Sequence, residues 1–368
     1  MEEKKTTIRE QALINQNFSI LSSEEGLLPI KVSKFYKAKV DEEVLALGHT
    51  EGPLHRAVFP SKERITLRAP REKKDFVDDR ENMQDDTHHS IIRKYEERIL
   101  FLPTSNCLSN CQYCFRQDVL NEERGISKKI SSLLEELVNY LNSHSEISEV
   151  ILSGGDPMTL PFKGLKEIIE IIKNRTTVES IRLHTRSLIF NPSVFSENKM
   201  KLFGDYDIRL VSHIIHPYEI CDVVKEYIEK LLNHNIRLYN QFPILRKVND
   251  HSEVLIKHIK QLDEFRIRNL SIFIPDPINF SAAFRVRLSR LFSIIDEFNW
   301  NSPSWINSTR LVLDSVHGKV RREDLKSYDK ENGIAIFERN GQQVTYPDLP
   351  EGMDDPGDLA TLLWKDNY

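Results

Sequence analysis

The chain has 368 residues, 39% hydrophobic and 29% charged, which is typical of a soluble globular protein. Its 51 Lys and Arg against 56 Asp and Glu give a net charge of −5, so the composition does not favour a nucleic-acid partner. No apolar run approaches the ~20 residues that cross a bilayer, and we expect no membrane span. The first residues contain no apolar segment typical of a signal peptide, so we expect a cytoplasmic location.

Residues 1–94 are highly charged and have only weak hydrophobic periodicity. The stretch 71–80, REKKDFVDDR, mixes basic and acidic side chains as a solvated surface does. Prolines at positions 29, 53, 60 and 70 punctuate the segment. We interpret residues 1–94 as a helical or irregular N-terminal segment that packs on the domain after it.

Residues 95–300 alternate short apolar runs with amphipathic stretches. Candidate strands recur about once per βα unit, at residues 98–104, 149–153, 180–185, 209–215, 236–242 and 271–276. Helix patterns accompany them at 127–142, 222–232 and 282–298. This rhythm predicts an α/β fold with a parallel sheet, either wound on both faces or curled into a barrel. The distinctive polar residues fall at the C-terminal ends of the strands, where both architectures place their sites.

Residues 301–368 return to β signals and form a C-terminal α+β segment in this interpretation. The signals lie at 310–313, 333–338 and 343–346, and a polar tail follows them. No internal repeat beyond the βα rhythm is visible.

Three of the four cysteines, Cys107, Cys111 and Cys114, lie within eight residues in the loop after the first predicted strand. Such clustering argues against a disulfide framework. Thiolates select iron–sulfur clusters or zinc, and a zinc site would take a fourth ligand from His88 or His89. A three-thiolate [4Fe–4S] cluster instead leaves one iron open for a ligand. Cys221, on a predicted helix over 219–232, is interpreted as a small buried apolar residue.

An ordered set of motifs extends this signature over residues 52–347. The set comprises Tyr95-Glu-Glu-Arg98, Cys114-Phe-Arg116, Leu152-Ser-Gly-Gly-Asp156, His184-Thr-Arg186, His216-Pro-Tyr-Glu219, Asn240-Gln241, Arg246-Lys-Val-Asn-Asp250, Phe284-Arg285 and Gly318-Lys319. C-x3-C-x2-C in the first βα loop is the signature of radical S-adenosylmethionine enzymes, and the whole set resembles the lysine 2,3-aminomutase family among them. The resemblance implies a radical S-adenosylmethionine partial (β/α)6 barrel.

The resemblance also implies three cofactors. Cys107, Cys111 and Cys114 would hold a [4Fe–4S] cluster. S-adenosyl-L-methionine would contact residues at the ends of three strands: Gly154, Gly155, Asp156, His216 and Gln241. Pyridoxal 5′-phosphate would be carried by Lys319, the catalytic lysine, and its phosphate would meet Tyr95 and Arg98.

For the substrate, the resemblance implies an isomerase that moves the α-amino group of a lysine-like amino acid to the β-carbon. Arg116 would bind the substrate carboxylate, because a guanidinium fork matches that anion. Asp276 and Asp314 would hold the distal ammonium, since buried acids require a cationic partner. An electron donor such as flavodoxin or ferredoxin is implied, and a homo-oligomer is possible.

Three alternatives stay open at this point. An enzyme of the same lineage without pyridoxal phosphate would perform hydrogen abstraction or epimerisation. A lysine aminomutase could serve the modification of a translation factor. A zinc-stabilised binding module built on the cysteine triplet would have no catalytic activity.

Overall fold

A computed structural model describes residues 5–84, 89–123 and 130–366. Its helices are α1 (Ile8–Glu25), α2 (Lys34–Leu47), α3 (Pro53–Val58), α4 (Lys62–Thr66), α5 (Gln117–Glu122), α6 (Ile130–Ser143), α7 (Phe162–Arg175), α8 (Ser187–Phe190), α9 (Glu197–Asp205), α10 (Asp222–Asn233), α11 (Ser252–Glu264), α12 (Leu288–Trp300) and α13 (Leu359–Leu362). Its strands are β1 (Ile91–Ile92), β2 (Arg98–Phe101), β3 (Glu149–Leu152), β4 (Ser180–Thr185), β5 (Arg209–Ser212), β6 (Arg237–Pro243), β7 (Arg268–Phe273), β8 (Arg310–Leu313), β9 (Val320–Arg321), β10 (Leu325–Asp329), β11 (Ile334–Arg339) and β12 (Gln342–Pro347).

Strands β1 to β9 form one sheet in sequence order. The neighbours from β2 to β8 pair in parallel, and the short strands β1 and β9 pair antiparallel at the two edges. Among the described residues, neither edge pairs with the other. The fold is therefore an α/β partial barrel built on a parallel sheet, and the predicted fold class is confirmed.

The six predicted strands of the barrel are all present, and β8 adds a seventh parallel strand to them. The sequence analysis had assigned its residues, 310–313, to the C-terminal segment. Strand β5 ends three residues before the predicted boundary because the backbone N–H of Ile214 turns away to donate to the side chain of Asn240 at 2.8 Å. The predicted helix over 127–142 begins at Ile130 within the described part of the chain.

Most residues of the barrel strands are buried or half-buried, as expected of parallel strands flanked by helices. Val150, Ile151 and Leu152 of β3 are all buried. Leu133 and Leu137 of α6, spaced four residues apart, lie on the helix face that packs on the sheet. One continuous apolar cluster includes residues from α2, the barrel and β11–β12.

The N-terminal segment is mainly helical from residue 8 to residue 66. Helix α1 begins with a reciprocal capping box between Thr7 and Glu10 and ends at Gly26, whose φ of 69° suits a glycine. Helix α2 begins in the same way at Ser33, whose hydroxyl accepts from the backbone N–H of Tyr36, and ends at Gly48. The N-cap residues and C-terminal glycines therefore explain where these two helices begin and end. The weak hydrophobic periodicity of the segment did not predict their bounds.

The C-terminal segment forms an antiparallel sheet of β10, β11 and β12 that packs on the barrel. Tyr346 is fully buried and donates its hydroxyl to the backbone carbonyl of Pro275 at 3.0 Å. Arg285 is fully buried over the Tyr346 ring and donates to the carbonyl of Pro347. None of the helices in the described residues is long and apolar enough to cross a membrane.

Glu43 of α2 provides a test of how the N-terminal segment is held. Its buried carboxylate accepts the backbone N–H groups of Leu54 and His55, at 2.9 and 2.7 Å, at the start of α3. We expect Glu43→Ala to lower the free energy of unfolding by about 2–4 kcal/mol, because two buried N–H groups lose their acceptor. Chemical denaturation monitored by circular dichroism measures this change.

The neighbouring Glu42→Ala variant is the control. Glu42 is exposed and forms a surface ion pair with Lys365 at 2.8 Å, so its loss should cost less than about 1 kcal/mol. Equal destabilisation of the two variants would contradict the role of Glu43.

Candidate active site

A cavity of about 390 Å³ lies inside the barrel and at the carboxyl ends of its strands. Of the residues that the sequence suggested for a site, all but His216 line it: Tyr95, Arg98, Cys107, Cys111, Cys114, Arg116, Gly154, Gly155, Asp156, Gln241, Asp276, Asp314 and Lys319. The barrel thus brings together groups that are more than 200 residues apart in sequence.

The cysteine loop, residues 107–114, follows β2 and is held by the N-terminal segment. The backbone N–H of Asn110 donates to the carbonyl of Lys31 at 2.8 Å, and that of Gln112 donates to the carbonyl of Ala57 at 2.9 Å. The Lys31 ammonium donates to the carbonyl of Cys107 at 2.5 Å. The N-terminal helices therefore fix the backbone from which the thiols project.

The three cysteines are free and half-buried, and they line the cavity wall. Burial raises the pKa of the Cys114 thiol to about 12 and the pKa of Cys107 well above its usual value. For Cys111, burial also raises the pKa, while the Arg186 guanidinium opposes the shift. Iron that bound these thiols would therefore have to displace their protons, so assembly of a cluster here would release protons.

The donor set fits an iron–sulfur cluster better than a zinc ion. Within residues 5–84, 89–123 and 130–366, no three His, Cys, Asp or Glu side chains are arranged to hold a single metal ion. His89 is exposed, and His88 lies outside the described residues. A [4Fe–4S] cluster binds each thiolate at a different iron, so its three cysteines need not converge on one point.

Arg186, just after β4, contacts the cysteine loop from the barrel side. Its guanidinium lies 3.1 Å from the sulfur of Cys111 and donates to the hydroxyl of Tyr113. It also forms a buried ion pair with Glu219 and lies over the ring of Phe190. The sequence analysis quoted the His184-Thr-Arg186 motif without giving Arg186 a role; a charged residue at the end of a buried strand was the available signal.

Gly154 and Gly155 bring the end of β3 against the start of the cysteine loop. Gly154 has a φ of 97°, which favours glycine. A Cβ atom on Gly155 would lie 2.3 Å from the backbone oxygen of Asn106. The Gly-Gly sequence is therefore required where two backbones approach each other beside the cavity.

The carboxylate of Asp156 is used within the chain. It accepts from the hydroxyls of Thr185 and Ser187, at 2.8 Å each, and from the backbone N–H groups of Met158 and Arg186. The contact between Asp156 and S-adenosyl-L-methionine that the resemblance implies stays a prediction. Asp156 ties the end of β3 to the end of β4.

His184 and Gln241 offer polar atoms to the cavity. The Gln241 side-chain nitrogen lies 3.5 Å from Nδ1 of His184, while Nε2 of His184 is buried without a partner in the described structure. His216 behaves differently: it is fully buried, accepts from the backbone N–H of Tyr218 and packs against the Tyr218 ring. His216 therefore has a structural position outside the cavity lining.

Arg116 belongs to a buried charge triad with Asp79 and Lys94. The carboxylate of Asp79 lies 2.6 Å from Arg116 and 2.7 Å from Lys94, and the three side chains are less than a tenth exposed. The two cations hold the pKa of Asp79 below its usual value. With two cations and one carboxylate, the triad leaves an excess positive charge on the cavity wall. Sequence reasoning missed Asp79 and Lys94, which lie outside the quoted motifs.

Asp276 and Asp314 line the cavity from the loops after β7 and β8. In the described part of the structure, neither carboxylate forms a hydrogen bond or ion pair. Burial first, and then the negative charge of Asp314, raises the pKa of Asp276 well above its usual value. A cation that bound between these two carboxyl groups would favour their ionised forms, so this wall is suited to a cationic group.

Lys319 lies between β8 and β9, with its amine 4.6 Å from the centre of the Phe273 ring. Burial lowers the pKa of the amine; the charge of Asp314 opposes this shift, and the cations Arg182 and Arg98 add to it. The backbone N–H of Lys319 donates to the hydroxyl of Tyr95 at 3.0 Å. The Arg98 guanidinium stacks on the Tyr95 ring at 3.7 Å, so three of the residues suggested for pyridoxal phosphate form one contact group. An amine with a lowered pKa fits a lysine that reacts with an aldehyde.

The Cys221 thiol occupies the N-terminal cap position of α10 and is half-buried against the main apolar cluster. It is therefore placed one residue before the helix rather than on the helix face that the sequence analysis predicted.

The fold and the cysteine loop resemble those of radical S-adenosylmethionine proteins, and residues 97–213 match the 4Fe-4S single cluster domain family. Among curated proteins, the chain is 34% identical over 168 residues to an L-lysine 2,3-aminomutase of Haemophilus influenzae, covering 45% of this chain and 49% of that protein. It is 31% identical over 209 residues to the L-lysine 2,3-aminomutase of Buchnera aphidicola, covering 56% and 61%. A glutamate 2,3-aminomutase of Clostridioides difficile is 29% identical over 184 residues, covering 50% and 43%.

The chain is therefore similar to lysine 2,3-aminomutases, the family that its motifs resemble. The matched region spans about two-fifths to three-fifths of the length of these curated relatives.

Gly155→Ala tests whether the close approach of β3 supports the cysteine loop. Its Cβ would meet the backbone of Asn106, so we expect the loop to shift, the protein to lose about 1–3 kcal/mol of stability and the iron content after anaerobic reconstitution to fall. Iron and sulfide analysis, together with denaturation, measures both effects.

Gly164→Ala, in helix α7, is the matched control. Its Cβ would meet only the flexible end of the Ile130 side chain, at 2.9 Å, and alanine favours a helix by about 1 kcal/mol over glycine. Unchanged iron content in both variants would contradict the proposed contact.

Proposed function

We propose that this protein is a radical S-adenosylmethionine 2,3-aminomutase that moves the α-amino group of a basic, lysine-like amino acid to its β-carbon. The observation that carries the proposal is the distribution of charge in the cavity. A buried triad with excess positive charge, Arg116–Asp79–Lys94, lines the wall after β2, and two unpaired carboxylates, Asp276 and Asp314, line the wall after β7 and β8. This arrangement is complementary to a carboxylate at one end of a substrate and an ammonium at the other.

Arg116 is the group proposed to bind the substrate carboxylate. Its Nε is taken by Asp79 and one terminal nitrogen by Ser153, so part of the guanidinium fork remains available to a bidentate anion. The remaining contacts hold the guanidinium in one orientation. Arg116 would therefore orient the substrate as well as attract it.

The cysteine loop is proposed to hold a [4Fe–4S] cluster through Cys107, Cys111 and Cys114. S-adenosyl-L-methionine would lie beside it, against Gly154 and Gly155, with Gln241 and the unpartnered Nε2 of His184 as polar contacts. When bound, these two groups supply a carbon radical able to take hydrogen from the substrate. The apolar walls around the cavity, such as Phe273, would keep water from that chemistry.

Pyridoxal 5′-phosphate is proposed to bind covalently to Lys319, and it would supply a conjugated imine system that lowers the energy of the nitrogen migration. Lys319 suits this role because burial lowers the pKa of its amine. Tyr95 fixes the backbone at Lys319, and Arg98 lies against the Tyr95 ring, where its guanidinium could also contact the phosphate. An electron donor of the flavodoxin or ferredoxin type would deliver the single electron that the chemistry requires. We also propose that the protein forms a homo-oligomer.

The two carboxylates favour a basic substrate over glutamate, whose side chain would meet Asp276 and Asp314 with like charge. The relatives include proteins named for either amino acid, so the family alone does not choose between them. The choice rests on these two side chains.

The substrate proposal predicts the outcome of an amino-acid panel with reduced, reconstituted enzyme. Lysine, ornithine or arginine should yield a β-amino product, and glutamate should not. Asp276→Asn and Asp314→Asn should each lower kcat/KM for the basic substrate by about tenfold to a hundredfold, because an ionic hydrogen bond is lost. Chromatography of the derivatised products provides the measurement.

Asp205→Asn, which removes an exposed carboxylate remote from the cavity, is the control and should leave kcat/KM unchanged. Turnover of glutamate alone would refute the roles of Asp276 and Asp314.

A separate prediction concerns Lys319. After incubation with pyridoxal phosphate and reduction with borohydride, mass spectrometry should find the pyridoxyl group on Lys319. Lys319→Ala should abolish the modification, whereas Lys326→Ala, which removes an exposed lysine paired with Glu338, should retain it. Modification that persists in Lys319→Ala would favour an enzyme of this lineage that works without pyridoxal phosphate.

A further inference from the structure

A second cavity, of about 630 Å³, lies at the amino-terminal ends of β2, β7 and β8. The first residues of these strands, Arg98, Arg268 and Arg310, all line it. The cysteine loop follows the opposite end of β2, so the two cavities lie toward opposite ends of the barrel. Lys319, Tyr95 and Arg98 line both cavities and therefore lie at their boundary.

This second cavity follows the open seam of the barrel. Arg98 belongs to the first strands of the sheet, whereas Arg310 and Arg321 belong to its last two strands, β8 and β9. Because the two edges of the sheet do not pair among the described residues, the space between them is not closed by strand hydrogen bonds. Side chains line this space instead.

The lining of the second cavity is strongly cationic. It contains six cationic side chains and, among the described residues, no carboxylate: Arg98, Arg268, Arg310, Lys319, Arg321 and Arg339. Arg98 pairs with Glu97, and Arg339 with Asp324, which lies 3.7 Å away. The other four have no ion pair in the described part of the chain. Like charges gathered in this way repel one another, in a protein whose net charge is −5.

We propose that this cavity, called here the basic cavity, binds a phosphate group. Five of its six cations are arginines, whose planar forks match phosphate oxygens bidentately. Arg268 and Arg310 are exposed at its rim, so an anion can reach them from solvent. A bound phosphate would neutralise charges that the chain itself leaves unpaired.

The phosphate can come from two sources. It can belong to a free phosphorylated compound that enters from solvent, or to a pyridoxal phosphate attached to Lys319 whose phosphate extends past Arg98 into the basic cavity. Only the second source rests on the function proposed above. In both cases Arg268 and Arg310 would bind the anion, and neither lines the cavity that holds the cysteines.

Titration calorimetry with inorganic pyrophosphate tests the free source. We expect wild type and Lys319→Ala to bind it, and Arg268→Gln/Arg310→Gln to bind at least about tenfold more weakly, since two ionic hydrogen-bond partners are lost. The matched control is Arg9→Gln/Arg175→Gln, which removes two exposed arginines far from the cavity and should bind as wild type does.

Borohydride trapping tests the cofactor source. Pyridoxal phosphate should modify Lys319 at a concentration at least about tenfold below that required for pyridoxal, which lacks the phosphate, and Arg268→Gln/Arg310→Gln should remove this preference. This result would support the basic cavity and identify pyridoxal phosphate as the source of the phosphate. Pyrophosphate binding that depends on Arg268 and Arg310 would support the basic cavity and identify a free phosphorylated compound as the source.

If neither pyrophosphate binding nor the preference for pyridoxal phosphate depends on Arg268 and Arg310, the phosphate site is refuted. If neither aldehyde modifies Lys319 while pyrophosphate binding persists, the pyridoxal part of the proposed function fails and the basic cavity stands.

Discussion

The buried ion pair between Arg186 and Glu219 is the interaction on which the cysteine loop depends. Glu219 is completely buried and also accepts from the Tyr36 hydroxyl at 2.7 Å and from the backbone N–H of Ile215 at 2.8 Å. Arg186 reaches from the end of β4 to the sulfur of Cys111. Because a buried charge without a partner is costly, this network holds its members in one arrangement. It joins the N-terminal helix α2, two barrel strands and the cysteine loop.

The same network places positive charge beside the cluster that the loop is proposed to hold. The Arg186 guanidinium beside Cys111 favours the thiolate form of that residue, and for Cys114 the backbone N–H of Arg116 and the charges of Arg116 and Arg64 act in the same direction against burial. Positive charge and hydrogen bonds near cluster sulfurs also stabilise the reduced state. The N-terminal segment thereby influences the cysteine loop in two ways. The Tyr36 hydroxyl donates to Glu219, which holds Arg186, and the Ala57 carbonyl accepts from the backbone of Gln112.

The sequence predicted the parts of the fold that local pattern controls. The apolar runs of β3 and β4 and the amphipathic face of α6 are visible as spacing, and the structure has them within a few residues of the predicted positions. Strand β10, with the sequence LKSYD, is mostly exposed and carries no apolar alternation, so no local pattern indicates it.

The site was predictable to the extent that its residues occur in motifs. Thirteen of the suggested residues converge on one cavity, because each lies in a strand of the same barrel or in a loop next to one. Asp79 could not be predicted, since it lies in an irregular segment and acquires its importance only by contact with Arg116 and Lys94. The position of His216 depends on Tyr218 and the packing behind the barrel, which tertiary structure alone reveals.

Lys319 occupies the boundary between two regions of opposite electrostatic character. On one side lie the carboxyl groups of Asp276 and Asp314; on the other lie Arg268 and Arg310, which have no ion pair among the described residues. Burial, and after it the charges of Arg182 and Arg98, let the amine of Lys319 lose its proton more easily, which is the condition for its reaction with an aldehyde. Arg98 also lines the basic cavity, so a phosphate there would neutralise one of the charges that lower the pKa of the lysine. A phosphorylated aldehyde therefore meets both requirements with one molecule, whereas pyridoxal without its phosphate would meet only the first.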